Sequence, residues 1–396
     1  MKSWTPMGLF LSFLSSLSLL SLSLASSAGA APQYYIVDLG TVTANTITAK
    51  AVNESGDVAG SVRVGFLYHS FSIIDGVFVD HGTLAEGPGY SYGSDVNDSD
   101  ESVGQSSRDS GAARGFVYSQ GVMTELGVLA QQPPQGNQFS RAVAINNGGQ
   151  IAGTSANSNY DSRAFVTIDG VMTDLGTLGG DSSRAFGINE LGEVVGQSRL
   201  ANSAYRGFYM VDGVMTSTGL FPGDTHSRAN GNNDLGHSVG RSYVVVSPGG
   251  GGFPITYEVG TAFLNVGGVM TDLGTLPGAE NSEASGINNQ GQIIGTSDRT
   301  AFYYDDEVGM IELASLVGEM GDWIELIYGY DINEQGVVVG VGRRPVVGAN
   351  TPYRSFLLIP VPEPSTGGGL LAGCVGLVLL RTRHTPRRKS LLRRPC

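Results

Sequence analysis

The side chains that most often carry catalysis are scarce in this chain. Between residues 31 and 366 the only histidines are His69, His81, His226 and His237, and none forms a His-x-x-x-His pair or a glutamate-linked motif. Zinc chemistry therefore lacks ligands at a workable spacing. Neither a Gly-x-Ser-x-Gly elbow nor a phosphate-binding loop occurs, and the glycine-rich run Pro248–Pro254 has no lysine and reads as a loop. Both cysteines, Cys374 and Cys396, lie beyond this region, which excludes disulfides, thiolate metal sites and a cysteine nucleophile from it. No motif points to a cofactor. Two groups remain. Asp95, Asn97, Asp98 and Asp100 offer alternating oxygen ligands of the kind calcium takes, with a solvated acidic turn as the competing reading. Arg141, Arg184 and Arg228 recur 43 and 44 residues apart, a spacing that a repeating fold would turn into neighbouring guanidinium groups.

The repeat is the strongest signal in the sequence. The unit Gly187-Ile-Asn189-Glu-Leu-Gly192-Glu-Val-Val-Gly196 has an Asn-x6-Gly core that recurs from Asn53, Asn97, Asn146, Asn233, Asn288 and Asn333, at intervals of 44, 49, 43, 44, 55 and 45 residues. Each unit reads as four short strands. A small-residue run ends at the Asn, and an Asn-x-x-Gly turn leads into a Val/Ile-rich second strand. An Ala/Gly-Phe third strand follows, as at Phe116, Phe165, Phe208, Phe263 and Phe302, and then a fourth such as Val171–Leu178 or Val269–Leu276. Four strands per ~45 residues is the pattern of a β-propeller blade. The ends of the array complement each other: the last unit lacks a fourth strand, and Tyr35–Gly40 supplies an orphan one. An all-β, seven-bladed propeller over residues 34–360 follows, closed by the N-terminal strand beside Phe356; a solenoid would not need complementary ends.

In such a ring the innermost strand lines the axis. The fifth residue before each repeat Asn is Thr48, Tyr92, Arg141, Arg184, Arg228, Glu283 and Tyr328, so these seven form one crown. Arg141, Arg184 and Arg228, flanked by Tyr92 and Tyr328, are the expected ligand-binding set for a carboxylated or sulfated sugar, which guanidinium groups grip bidentately. Asp174 and Asp272 recur on the fourth, outermost strand and read as structural.

The chain ends carry a different kind of signal. Lys2, an apolar run from Met7 to Leu24 and Ala28-Gly29-Ala30 describe a secretory signal peptide over residues 1–30. At the other end Pro362-Glu363-Pro364 falls in segment 361–366, followed by an apolar stretch 367–380 and a basic tail 381–396. Fourteen helical residues span only ~21 Å against ~30 Å of hydrocarbon, a short membrane segment with a sorting tail's arrangement. This end resembles the PEP-CTERM signal of exopolysaccharide-producing Gram-negative bacteria, with a longer basic tail than is usual there. The resemblance implies recognition by an exosortase at the membrane and passage to the outer surface. The repeats themselves are similar to the HAF repeats of bacterial extracellular proteins, with Arg or Thr mostly in place of the His, as in Arg163-Ala-Phe165 and Thr261-Ala-Phe263.

Charge sharpens the functional reading. All 36 acidic residues lie between 31 and 366 with only 15 of the 23 Lys+Arg, which leaves that region at −21. Such a body repels a phosphate backbone, so nucleic acid is not an expected partner. The expectation is a non-enzymatic secreted or surface protein associated with extracellular polysaccharide. The alternative is a propeller glycosidase or polysaccharide lyase acting on acidic glycans, which would need paired carboxylates or an acid and a base in the channel.

Overall fold

The computed structural model describes residues 32–41, 46–109, 112–129, 138–247, 256–345 and 353–362. The expected signal peptide, Glu363, Pro364, the apolar stretch and the basic tail lie outside these, as does the glycine-rich run Pro248–Pro254; Pro362 is described and exposed. Among the described residues no helix is long and apolar enough to cross a membrane.

The chain folds into seven antiparallel four-stranded sheets set around an axis, a seven-bladed β-propeller. The inner strands are Ile47–Val52, Ser91–Val96, Ser140–Ile145, Gly179–Ile188, His226–Asn232, Ser282–Ile287 and Glu325–Ile332, one for each of blades 1 to 7 in chain order. Closure is as the sequence requires. Tyr34–Asp38 pairs antiparallel with Tyr353–Pro360 as the outer strand of blade 7, with Asp38 opposite Phe356. The predicted fourth strands are shorter than expected: Val171–Asp174 ends before Leu178, and Val269–Gly274 before Leu276.

The core lies between neighbouring sheets rather than in one central mass. Each blade contributes one fully buried third-strand phenylalanine: Phe71, Phe116, Phe165, Phe208, Phe263, Phe302 and Phe356. Burying each is worth roughly 1.5–3 kcal/mol. The closing seam is equally apolar, since Val339 and Leu357 of blade 7 pack with Ile47, Val58 and Phe71 of blade 1. Buried serines add stitches between blades. Ser91, Ser140, Ser183, Ser227 and Ser282 each accept a hydrogen bond from a third-strand N–H of the preceding blade at 2.7–3.0 Å.

Both letters of the Asn-x6-Gly motif have a backbone reason. In every blade the Asn Oδ1 accepts the N–H four residues on, at 2.7–3.1 Å, and so fixes the hairpin turn. Its Nδ2 donates to the carbonyl of the next blade's Asn, from Asn53 to Asn97 and onward until Asn333 returns to Asn53, at 2.8–3.2 Å. Seven bonds thus form a closed circle. The motif Gly faces a bulge in the inner strand, present in all seven blades between the fourth and second residues before the Asn. There a side chain would collide with the carbonyl oxygen of the crown residue, Arg184 in the case of Gly196.

Candidate functional site

The axial channel has two unlike mouths, because each inner strand runs from its crown residue at one to its Asn turn at the other. At the Asn mouth the residue after each Asn forms a second closed circle: Glu54, Asp98, Asn147, Glu190, Asp234, Asn289 and Glu334. Each accepts, through its side chain, the N–H of the equivalent residue in the preceding blade at 2.8–3.2 Å. Burial raises Glu54, Glu190 and Glu334 above the usual carboxylate range. Just inside this mouth sit Asp95 and Asp331. Asp95 accepts the N–H groups of Ile145 (2.8 Å) and Val96 (2.8 Å), and Asp331 those of Val52 (3.0 Å) and Ile332 (2.9 Å). Burial, and next the charge of Asp331, push Asp95 up to about 7; burial also raises Asp331.

This geometry corrects the calcium expectation. Asp95 points into the channel, Asn97 caps its turn, and Asp98 belongs to the circle just described. Asp100 takes the positive-φ turn position (φ 62°) held by glycine in other blades and is exposed. The four do not converge, and no group of three or more His, Cys, Asp or Glu among the described residues is arranged to hold a metal.

The crown mouth is not self-satisfied. Arg141 and Arg184, in adjacent blades 3 and 4, are both exposed, and no carboxylate among the described residues comes within ion-pair distance of either. Though Arg141 is open to solvent, the channel walls around its guanidinium, and then the charge of Arg184, disfavour its cation. Lys50 joins them from blade 1. Its Nζ sits 3.5 Å from the centre of the Tyr330 ring, and burial followed by the charge of Arg141 lowers its amine to about 8. Lys50 thus feels the charge of Arg141, and Arg141 that of Arg184, while Tyr92 holds the crown position of blade 2, between the blades of Lys50 and Arg141.

Arg228 behaves otherwise, which corrects its place in the predicted binding set. Its guanidinium grips Glu283 through Nε (2.8 Å) and Nη2 (2.6 Å) and meets Glu258 at 3.1 Å, while Tyr243 lies 5.2 Å away. Burial opposes its charge, but the bonds to Glu283 and the attraction of both carboxylates outweigh it and hold the group above its ordinary range. Asn230 completes the cluster by donating to Glu283 at 2.8 Å. Arg228 is a neutralised structural pair.

The crown tyrosines flank this arrangement. Tyr328 stacks on Tyr330 with ring centres 5.8 Å apart and planes 10° apart, and both border a pocket of about 440 Å³ with Glu283 and Arg241. Tyr92 lies 5.6 Å from Tyr68 and 5.5 Å from Tyr90. The two recurring fourth-strand carboxylates are occupied: Asp174 pairs with Arg163 at 3.2 Å and Asp272 accepts the Gly274 N–H at 2.9 Å; Glu325, at the start of the blade 7 inner strand, pairs with Arg343 at 2.9 Å. A concavity of about 570 Å³ between blades 3 and 4 lies off the axis; its charged lining residues, Asp174, Glu193 and Asp212, are all acidic.

Sequence reasoning missed Lys50, Tyr330, Tyr68 and Tyr90. A signal for Lys50 was present, since it is the only lysine between residues 31 and 366 and stands two residues after crown position Thr48. Period-2 alternation puts those two positions on one face.

No protein-family model and no curated protein matches the chain. Solved structures similar to it include a gluconolactonase from Xanthomonas campestris, 8% identical over 84% of this chain and 96% of that one, with a TM-score of 0.38. A copper-bound fungal alcohol oxidase is 12% identical over 84% of this chain and 76% of that one (TM-score 0.36). An arginine-to-alanine variant of AofleA from Arthrobotrys oligospora is 11% identical over 73% and 92% (TM-score 0.33). Likenesses at this level assign no activity to this chain.

Proposed function

We propose that the protein is an exported, non-catalytic surface propeller that binds acidic polysaccharide at its crown mouth, delivered there through its signal peptide and an exosortase-read Pro362-Glu363-Pro364 tail. The observation that carries the reading is the grouping of Lys50, Arg141 and Arg184 without carboxylate partners among the described residues, in a body whose third crown arginine, Arg228, is neutralised. Holding like charges together is unfavourable, and an anion relieves it. A uronate carboxylate or a sugar sulfate matches the fork of two adjacent guanidinium groups.

Non-catalysis draws support from the carboxylates. Glycosidase chemistry needs two that are free to act on substrate. Glu283 is committed to Arg228, and Asp95 and Asp331 are each committed to two backbone N–H groups.

Calorimetric titration of residues 31–360 with oligouronates and with neutral oligosaccharides tests the proposal. Acidic chains bind, neutral ones do not, and added salt weakens binding. Arg184→Ala weakens it by about 1.5–3 kcal/mol, roughly ten- to hundred-fold. Equal binding of neutral chains, or affinity unmoved in Arg184→Ala, would overturn it, as would release of new reducing ends from the acidic polymer.

A further inference from the structure

The cationic sector opens onto an aromatic surface that the charge argument leaves unused. Tyr92 stands at the crown position of blade 2, between the blades of Lys50 and Arg141, and is 37% exposed. Tyr68, from the third strand of blade 1, lies 5.6 Å from it with ring planes 32° apart and is 38% exposed. Tyr90, half-buried, lies 5.5 Å from Tyr92 with ring planes 48° apart. Three tyrosines gathered from two blades, two of them exposed, thus form an aromatic shelf that includes the crown position next to that of Arg141.

We infer that Tyr68, Tyr90 and Tyr92 are a stacking subsite for sugar rings, so that the ligand recognised is a polymer chain several sugars long rather than a single acidic residue. The inference rests on the anionic-ligand reading and specifies its ligand. A lone carboxylate or sulfate has no apolar face and gains nothing from phenol rings. A pyranose has one: its C–H face covers an aromatic ring while its hydroxyls stay in water, and tyrosine adds a hydroxyl that hydrogen-bonds beside the stack. A chain anchored by one charged group between Arg141 and Arg184 would lay its next sugars over Tyr92 and then Tyr68.

The test is a calorimetric series on residues 31–360 with one uronate monosaccharide and oligouronates of increasing length, in wild type, Tyr68→Ala, Tyr68→Phe and Arg184→Ala. The inference expects affinity to rise with length and then level off once the shelf is filled. Tyr68→Ala loses roughly 3- to 10-fold of that gain, and Tyr68→Phe keeps most of it. Circular dichroism and the melting midpoint establish that each variant is folded. Wild-type affinity independent of length, or an undiminished length gain in folded Tyr68→Ala, overturns the shelf while leaving the cationic site standing. Absence of any acidic-chain binding, or binding indifferent to Arg184→Ala, overturns the cationic site and the shelf with it.

Discussion

The two mouths of the channel are made from the same seven strands and differ in one respect: whether their polar groups satisfy one another. At the Asn mouth two circles of hydrogen bonds close on themselves, so each Asn side chain and each following N–H has its partner in the next blade. The acidic groups there are spent on backbone. At the crown mouth the register position that could have held a third circle instead holds Thr, Tyr, Arg, Arg, Arg, Glu and Tyr, and only the Arg228–Glu283 pair is internally resolved. Folding needs the first kind of mouth. It gains nothing from unpaired cations at the second, which is why the site is assigned there.

The largest effect should come from breaking the self-satisfied mouth. Asn189→Ala removes the bond to the Asn233 carbonyl (2.9 Å) and the cap on the Glu193 N–H (2.8 Å). The Asn233 carbonyl then keeps only the Gly236 N–H (3.2 Å) and the half-buried Glu193 N–H loses its cap; the two lost bonds cost about 1–3 kcal/mol, read as a lowered denaturant midpoint. Affinity for acidic oligosaccharide should stay near wild type in the variant while it is folded. A variant that lost affinity and kept its stability would erase the distinction between the mouths.

The next effect depends on pH at the same mouth. Asp95 titrates at about 7 in the folded chain, well above its ordinary value, so the native state holds a proton there that the unfolded chain has released. Its contribution is full below the ordinary carboxylate range and is lost as pH rises through about 7. Asp95→Asn keeps a neutral side chain throughout. Its stability relative to wild type should therefore climb between about pH 4 and pH 7, by an amount on the order of a few kcal/mol. Urea unfolding of both proteins across that range measures the difference; a constant gap would contradict it.

The smallest effect belongs to the crown. Lys50 carries its charge only below about 8, so affinity for an acidic oligosaccharide should fall as pH rises through that value. The expected loss is up to about ten-fold. Lys50→Arg, which puts a guanidinium in place of the amine, should remove the decline. A wild-type affinity that is flat through this range would take Lys50 out of the site.

How much of this was legible follows from which residues serve the backbone. Asn189 and Gly196 recur because the turn, the circle and the bulge tolerate almost nothing else, and so the repeat announced seven blades. Closure was legible because strands come in fours and the two ends each held a partial set. The crown was half legible. Its register could be counted, but the fate of each side chain could not. Arg228 is neutralised in part by Glu258, which stands on the third strand Tyr257–Val266 of blade 5, longer than in most blades. That strand's length is peculiar to blade 5 and carries no periodic signal. Lys50 sits at the bulged residue, where counting by twos from the Asn alone does not reach the channel face. Tyr68 and Tyr90 come from a third strand and a loop, and only the packing of two blades brings them to Tyr92.

A crystal structure of residues 31–360 bound to an acidic oligosaccharide tests the central claim most directly. The account predicts density at the crown mouth, with a carboxylate or sulfate held between Arg141 and Arg184 and the Asn mouth unchanged. A sugar lodged against the Glu54–Glu334 circle, or in the groove between blades 3 and 4, would contradict it.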